Sequence, residues 1–169
     1  PIAFPAMQAA RDAYKTRQWQ AAPLVVPSSD AGPGSATPLT NPADPTDSIG
    51  TVTNAAPETV SAAIAAATAS SWPQSALATR TAALRATADL YEANSAELFA
   101  LLAREAGKSW ADAVAELREA VDFLRYYADE AERQPLAAAR GPIAAISPWN
   151  FPLAIFTGQI AAALVAGNP

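Results

Sequence analysis

The sequence predicts an α/β fold: short opening strands, four helices, then a strand–loop–helix unit. Three observations carry this. Two short β-prone runs near residues 36–53 are separated by Asn-Pro and Asp-Pro turn signals. Residues 57–133 then place apolar side chains at helical spacing. Finally, Gly141 to Pro152 reads as an apolar run entering a Pro-Trp-Asn-Phe-Pro turn, with a second apolar run from Leu153 to Ala166 behind it. The prolines fix φ around that turn and exclude a continuous helix through it, so a short buried strand, a stiff loop and a helix are expected.

Taken in order, residues 6–20 are expected to form a short helix that includes Met7, Ala10, Tyr14, Arg17 and Trp19. Pro23–Asn41 is rich in Pro, Ser, Gly and Thr, the composition of a linker or long surface loop. Residues 1–37 are expected to be a linker or the tail of an upstream domain. Strand candidates are Ala36–Thr40 and Ile49–Thr53. Pro57 suits a first helical turn, and Val60, Ile64 and Ala67 extend a helical stripe to about Ser70. Trp72-Pro73 breaks it, and Ser75 is placed to cap the next helix, in which Leu77, Leu84 and Tyr91 recur at heptad spacing. Asn94 and Glu97 have the shape of a capping box, and Gly107 is a natural stop. A fourth helix is expected from about Asp112 to Arg133, with Val114, Leu117, Val121, Leu124 and Ala128 on one face. Its charges are expected to pair locally: Arg118 with Asp122, Arg125 with Asp122 or Asp129, and Asp129 with Arg133. No internal repeat is visible.

Composition excludes several functions. With 11 Lys and Arg against 16 Asp and Glu, net charge −5 and no basic cluster, the chain offers no nucleic-acid surface. It has no cysteine and no histidine, which removes disulfides, thiol chemistry and the commonest general base and metal ligand, so no metal site is expected. Residues 141–169 carry no charge, but Pro142, Pro148 and Pro152 interrupt them and the helical part is short for a bilayer, so no transmembrane span is expected. The chain opens on Pro1 without a signal-peptide pattern and stops at Gly167-Asn168-Pro169 just past an apolar helix. It is expected to be a fragment of a longer protein.

Two polar residues stand out. Asn150 is a single carboxamide where the chain turns; it can serve as a hydrogen-bond donor to a developing negative charge or as the N-cap of the following helix. Glu119 has no opposite charge three or four positions away and sits beside Phe123 and Tyr126, opposite the apolar stripe of its helix. Such a carboxylate is either solvated or available to a cation. Lys108, Arg140 and Glu105 read as structural or solvated.

The stretch Gly141–Pro152 resembles the oxyanion-loop signature of NAD(P)-dependent aldehyde dehydrogenases. Glu105-Ala106-Gly107-Lys108-Ser109 and Glu116–Ala128 resemble the family's paired helices, and Asn41-Pro42-Ala43 with Ile49–Val52 its opening strands. Leu153–Gln159 is most similar to glutamate-γ-semialdehyde dehydrogenases, in particular the dehydrogenase half of bifunctional proline utilisation A proteins. The similarity runs from about residue 38 to 169 and is densest at 141–168. It implies that 38–169 is the N-terminal part of an NAD-binding domain, incomplete at its C-terminus, in a cytoplasmic, homo-oligomeric enzyme that oxidises L-glutamate γ-semialdehyde in proline catabolism.

The same resemblance implies site residues. Asn150 would stabilise the oxyanion formed when a thiol adds to the aldehyde. Ile146, Ser147, Pro148 and Trp149 would line the cleft for NAD, although by residue type alone Trp149 is a packing aromatic and Ser147 a turn residue. Glu119 would face the aldehyde tunnel and meet the substrate's ammonium group. Phe151 would line that tunnel or act as a hydrophobic staple. The nucleophilic cysteine and the glutamate that activates water would lie beyond Pro169, and FAD would enter only if a proline dehydrogenase domain precedes Pro1. The alternatives are another aldehyde dehydrogenase, aliphatic or succinate-semialdehyde, and a non-catalytic helical interaction domain.

Overall fold

A computed structural model describes residues 4–24 and 34–169. Helix α1 (Phe4–Asp12) leads into strand β1 (Trp19–Ala21), followed by β2 (Ala36–Asn41) and β3 (Asp44–Thr53). Helices α2 (Pro57–Thr68), α3 (Leu77–Ala93), α4 (Ser95–Ala106), α5 (Trp110–Arg133) and α6 (Ala154–Val165) complete the described chain. Of the linker or loop expected over Pro23–Asn41, residues 25–33 lie outside the described residues, and Ala36–Asn41 is strand β2 rather than loop, because it pairs along β3.

β2 and β3 form an antiparallel hairpin closed at Asn41↔Asp44, where Asn41 Oδ1 accepts the Ala43 N–H at 2.9 Å. The Asn-Pro turn is therefore where the sequence puts it, but β3 begins five residues before Ile49. The sheet order is β1-β3-β2, with β1 parallel to β3. Trp19 is thus in a strand, not at the end of the helix expected over 6–20. Tertiary contacts override the local pattern here. The Trp19 indole N–H donates to Glu97 at 2.7 Å, and its ring lies 5.3 Å from the Arg104 guanidinium. Gly50, opposite Trp19 at φ +144°, is needed because a Cβ there would stand 1.8 Å from the Trp19 carbonyl oxygen.

The core centres on α5, which packs against α3, α4 and α6. Leu117, Val121, Leu124 and Ala128 are buried as the helical stripe predicts, and they meet Leu84, Ala88, Phe99, Leu102, Ala161 and Val165. Small side chains let the helices approach. Gly158 of α6 faces the Phe123 ring so closely that an added Cβ would come within 3.0 Å. Leu77 and Tyr91 pack against the core beside buried Leu84, while Val60 and Ile64 of α2 are exposed.

Caps differ from expectation in three places. Ser75 Oγ donates back to the Trp72 carbonyl at 2.6 Å, closing the 3-10 turn Trp72–Gln74, and does not cap α3. The Asn94–Glu97 capping box does not form: the Asn94 amide donates to the Leu90 carbonyl, and Glu97 is taken by Trp19 and Arg17. α5 starts at Trp110, because Ser109 caps it by accepting the Asp112 N–H. Gly107 stops α4 in the left-handed region, φ +65°, with the Lys108 N–H closing onto the Leu102 carbonyl.

The local ion pairs expected along α5 are largely replaced by pairs across to α3. Arg125 holds Asp89 and Glu92, and Arg85 holds Asp129 and Glu132, at 2.7–3.1 Å. Two facing helices present partners that one helix cannot. The strand expected over 141–147 is also absent. Among the described residues no strand pairs with it, and Ile143 N–H instead donates to the Pro169 carbonyl at 3.2 Å. A strand exists only with a neighbour to complete its ladder.

Candidate active site

The Pro148–Pro152 turn lies at the head of α6. Its tightest bond runs from the Phe151 N–H to the Pro148 carbonyl, 3.2 Å. Asn150 is exposed, and its side chain has no hydrogen-bond partner among the described residues. It does not cap α6: the helix begins at Ala154, and the N-cap position is Leu153, which has no capping side chain. The carboxamide is thus directed outward and available.

That helix end is capped by a residue the sequence reading passed over. Glu116, 2% exposed on α5, accepts the Leu153 N–H at 2.8 Å and the Ala154 N–H at 3.3 Å through Oε1. Lys108 Nζ stands 2.9 Å from Oε2, as an ion pair outside hydrogen-bond geometry, and 4.1 Å from the centre of the Phe151 ring. Lys108 is therefore paired and largely buried, which agrees with the structural alternative of its reading and not with the solvated one. The available signal was positional: Glu116 sits between Ala113 and Ala120 on the helical face that also carries Leu117.

The rest of α6 is held equally firmly. The Trp72 indole donates to the Leu164 carbonyl at 2.8 Å, Tyr91 and Thr157 share a hydroxyl bond of 3.2 Å, and Gln159 Nε2 donates to the Ile146 carbonyl at 3.1 Å. Ile146 and Trp149 are nonetheless 85% and 83% exposed, so neither is a packing residue of this core. Ser147 is half-buried and Pro148 exposed. Trp149 lines an apolar hollow of about 390 Å³ with Leu39, Leu98, Leu101, Glu105 and Leu153. Phe151, 39% exposed, lies under Lys108.

Glu119 is elsewhere. It is half-exposed on α5 and lines an open hollow of about 530 Å³ with Ala115, Arg118, Asp122, Phe123 and Tyr126. Every lining residue belongs to α5, so the described chain does not bring Glu119 and the 146–151 loop into one pocket. It has no ion-pair partner among the described residues.

Electrostatics elsewhere are structural. Arg104, 7% exposed, donates to both Asp47 oxygens and to the Tyr14, Arg17 and Ser48 carbonyls, tying the chain after α1 and strand β3 to α4. Its hydrogen bonds, with one from Asn41, hold the Asp47 carboxyl below the usual carboxylate range. Arg85 likewise brings Glu132 down to about 2.

A model of the aldehyde dehydrogenase family matches residues 29–169. This chain belongs to the aldehyde dehydrogenase family. It is 45% identical over 161 residues to the bifunctional protein PutA of Escherichia coli, covering 90% of this chain and 12% of that relative. It is 36% identical over 145 residues to a 1-pyrroline-5-carboxylate dehydrogenase of Bacillus mycoides, covering 76% of this chain and 28% of that enzyme. Among solved structures, a Thermus 1-pyrroline-5-carboxylate dehydrogenase with bound NAD superposes with a TM-score of 0.87 at 29% identity, covering 99% of this chain and 36% of that one. Proline utilization A from Bdellovibrio bacteriovorus superposes at 0.85 with 30% identity, covering 96% of this chain and 19% of that one. The chain therefore spans about an eighth of the length of the first of these relatives. No described helix is long and apolar enough to cross a membrane.

Proposed function

We propose that this aldehyde dehydrogenase segment belongs to an NAD-dependent enzyme that oxidises L-glutamate γ-semialdehyde to L-glutamate in proline catabolism. The observation that carries the reading is the outward-facing Asn150, without a partner among the described residues, in a turn braced against the core, in a chain whose relatives are named PutA and 1-pyrroline-5-carboxylate dehydrogenase. A carboxamide N–H fixed at that point donates to an oxygen as charge develops on it, which lowers the barrier more than it strengthens substrate binding. An asparagine serves because it donates without a proton to lose.

The residues offered to a dinucleotide fit one. Ile146 and Trp149 present exposed apolar surface that no packing uses, Ser147 and Pro148 lie between them, and residues 141–169 carry no carboxylate to repel a pyrophosphate. The bound NAD would supply the hydride acceptor. Ile146, Ser147, Pro148 and Trp149 would hold and orient it, with Asn150 turned towards the aldehyde. Glu119 would face the substrate's α-ammonium, with Phe151 as the apolar wall. The nucleophile is assigned to the remainder of the protein, since this chain has no cysteine. A homo-oligomer in the cytoplasm is the assembly and compartment this reading carries with it.

The test is NADH formation by the full-length protein from glutamate semialdehyde, succinate semialdehyde and propanal in parallel. A clear preference for glutamate semialdehyde is expected. A preference for either of the others would replace the substrate assignment while leaving the family intact.

A further inference from the structure

We propose that Glu116, held by Lys108, is the positioning residue of the Asn150 loop: a buried carboxylate on α5 that sets where the oxyanion donor points. This rests on the reading of Asn150 given above. Burying a carboxylate is costly, and an apolar side chain of similar volume would fill the same space without that cost. What the carboxylate adds is direction. Glu116 Oε1 gathers the Leu153 and Ala154 N–H groups, the first free donors of α6, from the neighbouring helix. No side chain of the loop itself performs that task.

Lys108 closes the clamp from the other side. It follows the left-handed stop at Gly107, which turns the chain from α4 towards α5. From there its ammonium reaches both Glu116 Oε2 and the face of Phe151. Phe151 is thus held by Lys108 at the α4–α5 junction, Leu153 and Ala154 by its partner Glu116 on α5, and Asn150 is the residue just before Phe151. Upstream, the Ile146 carbonyl is tied to Gln159. Asn150 has no partner of its own among the described residues, so its direction is inherited from these neighbours. Loss of the clamp would let the donor drift, and a misplacement near 1 Å costs about a hundredfold in rate.

The experiment is a double-mutant cycle in the full-length enzyme, with kcat and KM read for the aldehyde and for NAD. Glu116→Ala is expected to lower kcat about a hundredfold with both KM values changed by less than about threefold. The Glu116→Ala/Asn150→Ala double variant should be no slower than Asn150→Ala alone, because Glu116 acts only through that donor. Glu116→Gln, which keeps an acceptor, should retain activity within about tenfold of the parent. Losses that multiply in the double variant would mean Glu116 supports the fold generally, and would overturn the proposal while leaving Asn150's role standing. An Asn150→Ala enzyme of full activity would overturn the oxyanion reading itself and this proposal with it. Should Glu116→Ala fail to fold, amide exchange in Glu116→Met, which fills the space without an acceptor, decides: several-fold faster exchange at Leu153 and Ala154, with the middle of α6 unchanged, is expected, and unchanged exchange at those two amides would overturn the clamp.

Discussion

Single side chains divide the work on this surface. Asn150 makes no stabilising contact among the described residues, so its removal should be felt in rate and hardly in stability. In the full-length enzyme, Asn150→Ala should lower kcat by about 10²–10³-fold, the usual loss for one oxyanion donor, with NAD affinity little altered. Steady-state kinetics at saturating NAD checks this. Glu119 should behave differently, because its assigned partner is a charge that only some aldehydes carry. Glu119→Ala should cost about ten- to hundredfold in kcat/KM for glutamate semialdehyde and almost nothing for propanal, the range expected for one charge-assisted hydrogen bond. Glu119→Gln should fall between. Equal losses on both aldehydes would make Glu119 a support of α5, and no loss on either would leave it a solvated carboxylate.

Among the elements, the joints are electrostatic while the bulk of the core is apolar. Arg104 joins three parts of the chain through bonds that no smaller side chain spans. Arg104→Met should destabilise this region, because the Asp47 carboxylate and three backbone carbonyls lose their donor together. Amide exchange in β3 reads that loss locally. The pairs also set an acid limit. Asp47 and Glu132 have folded pKa values below their unfolded ones, so each contributes stability that is fully present above the ordinary carboxylate range and disappears as pH falls through the folded value. For Glu132 that window runs from about 4.5 down to about 2. Exchange protection in α3 and α5 should therefore fall between pH 5 and about pH 2, and Arg85→Met should flatten that dependence. An unchanged pH profile in Arg85→Met would show that the α3–α5 pairs do not contribute to it.

As a whole molecule, the chain carries the oxyanion donor and the two ligand surfaces proposed above, but no thiol. Expressed alone, these 169 residues should form no NADH from any aldehyde and bind NAD weakly. NADH production above a heat-killed control would refute the assignment of the nucleophile to the remainder of the protein. Exposed Ile146, and the apolar hollow that Trp149 lines with Leu39 and Leu98, also predict association of the isolated chain at high concentration, measurable by light scattering.

What the sequence by itself determined is whatever depends on neighbours along the chain. The helix α5 and its Leu117–Val121–Leu124 face, the stop at Gly107, the Asn41-Pro42 turn and the Pro148–Pro152 loop were all legible, because periodicity, φ preference and turn chemistry are local properties. The Asn150 motif was legible too, through its resemblance to a family. What only the tertiary structure decided depends on partners far apart in sequence. Trp19 became a strand because β3, Glu97 and Arg104 meet it there. Arg125 of α5 turned to α3, and Arg85 of α3 turned to α5, because the facing helix offers each of them two carboxylates. Residues 141–147 did not become a strand, since none of the described strands completes their ladder. Glu116, an unremarked acid on an apolar stripe, became the cap of α6 because folding brings the free N–H groups of one helix to the buried face of another, where a carboxylate without donors could not be tolerated.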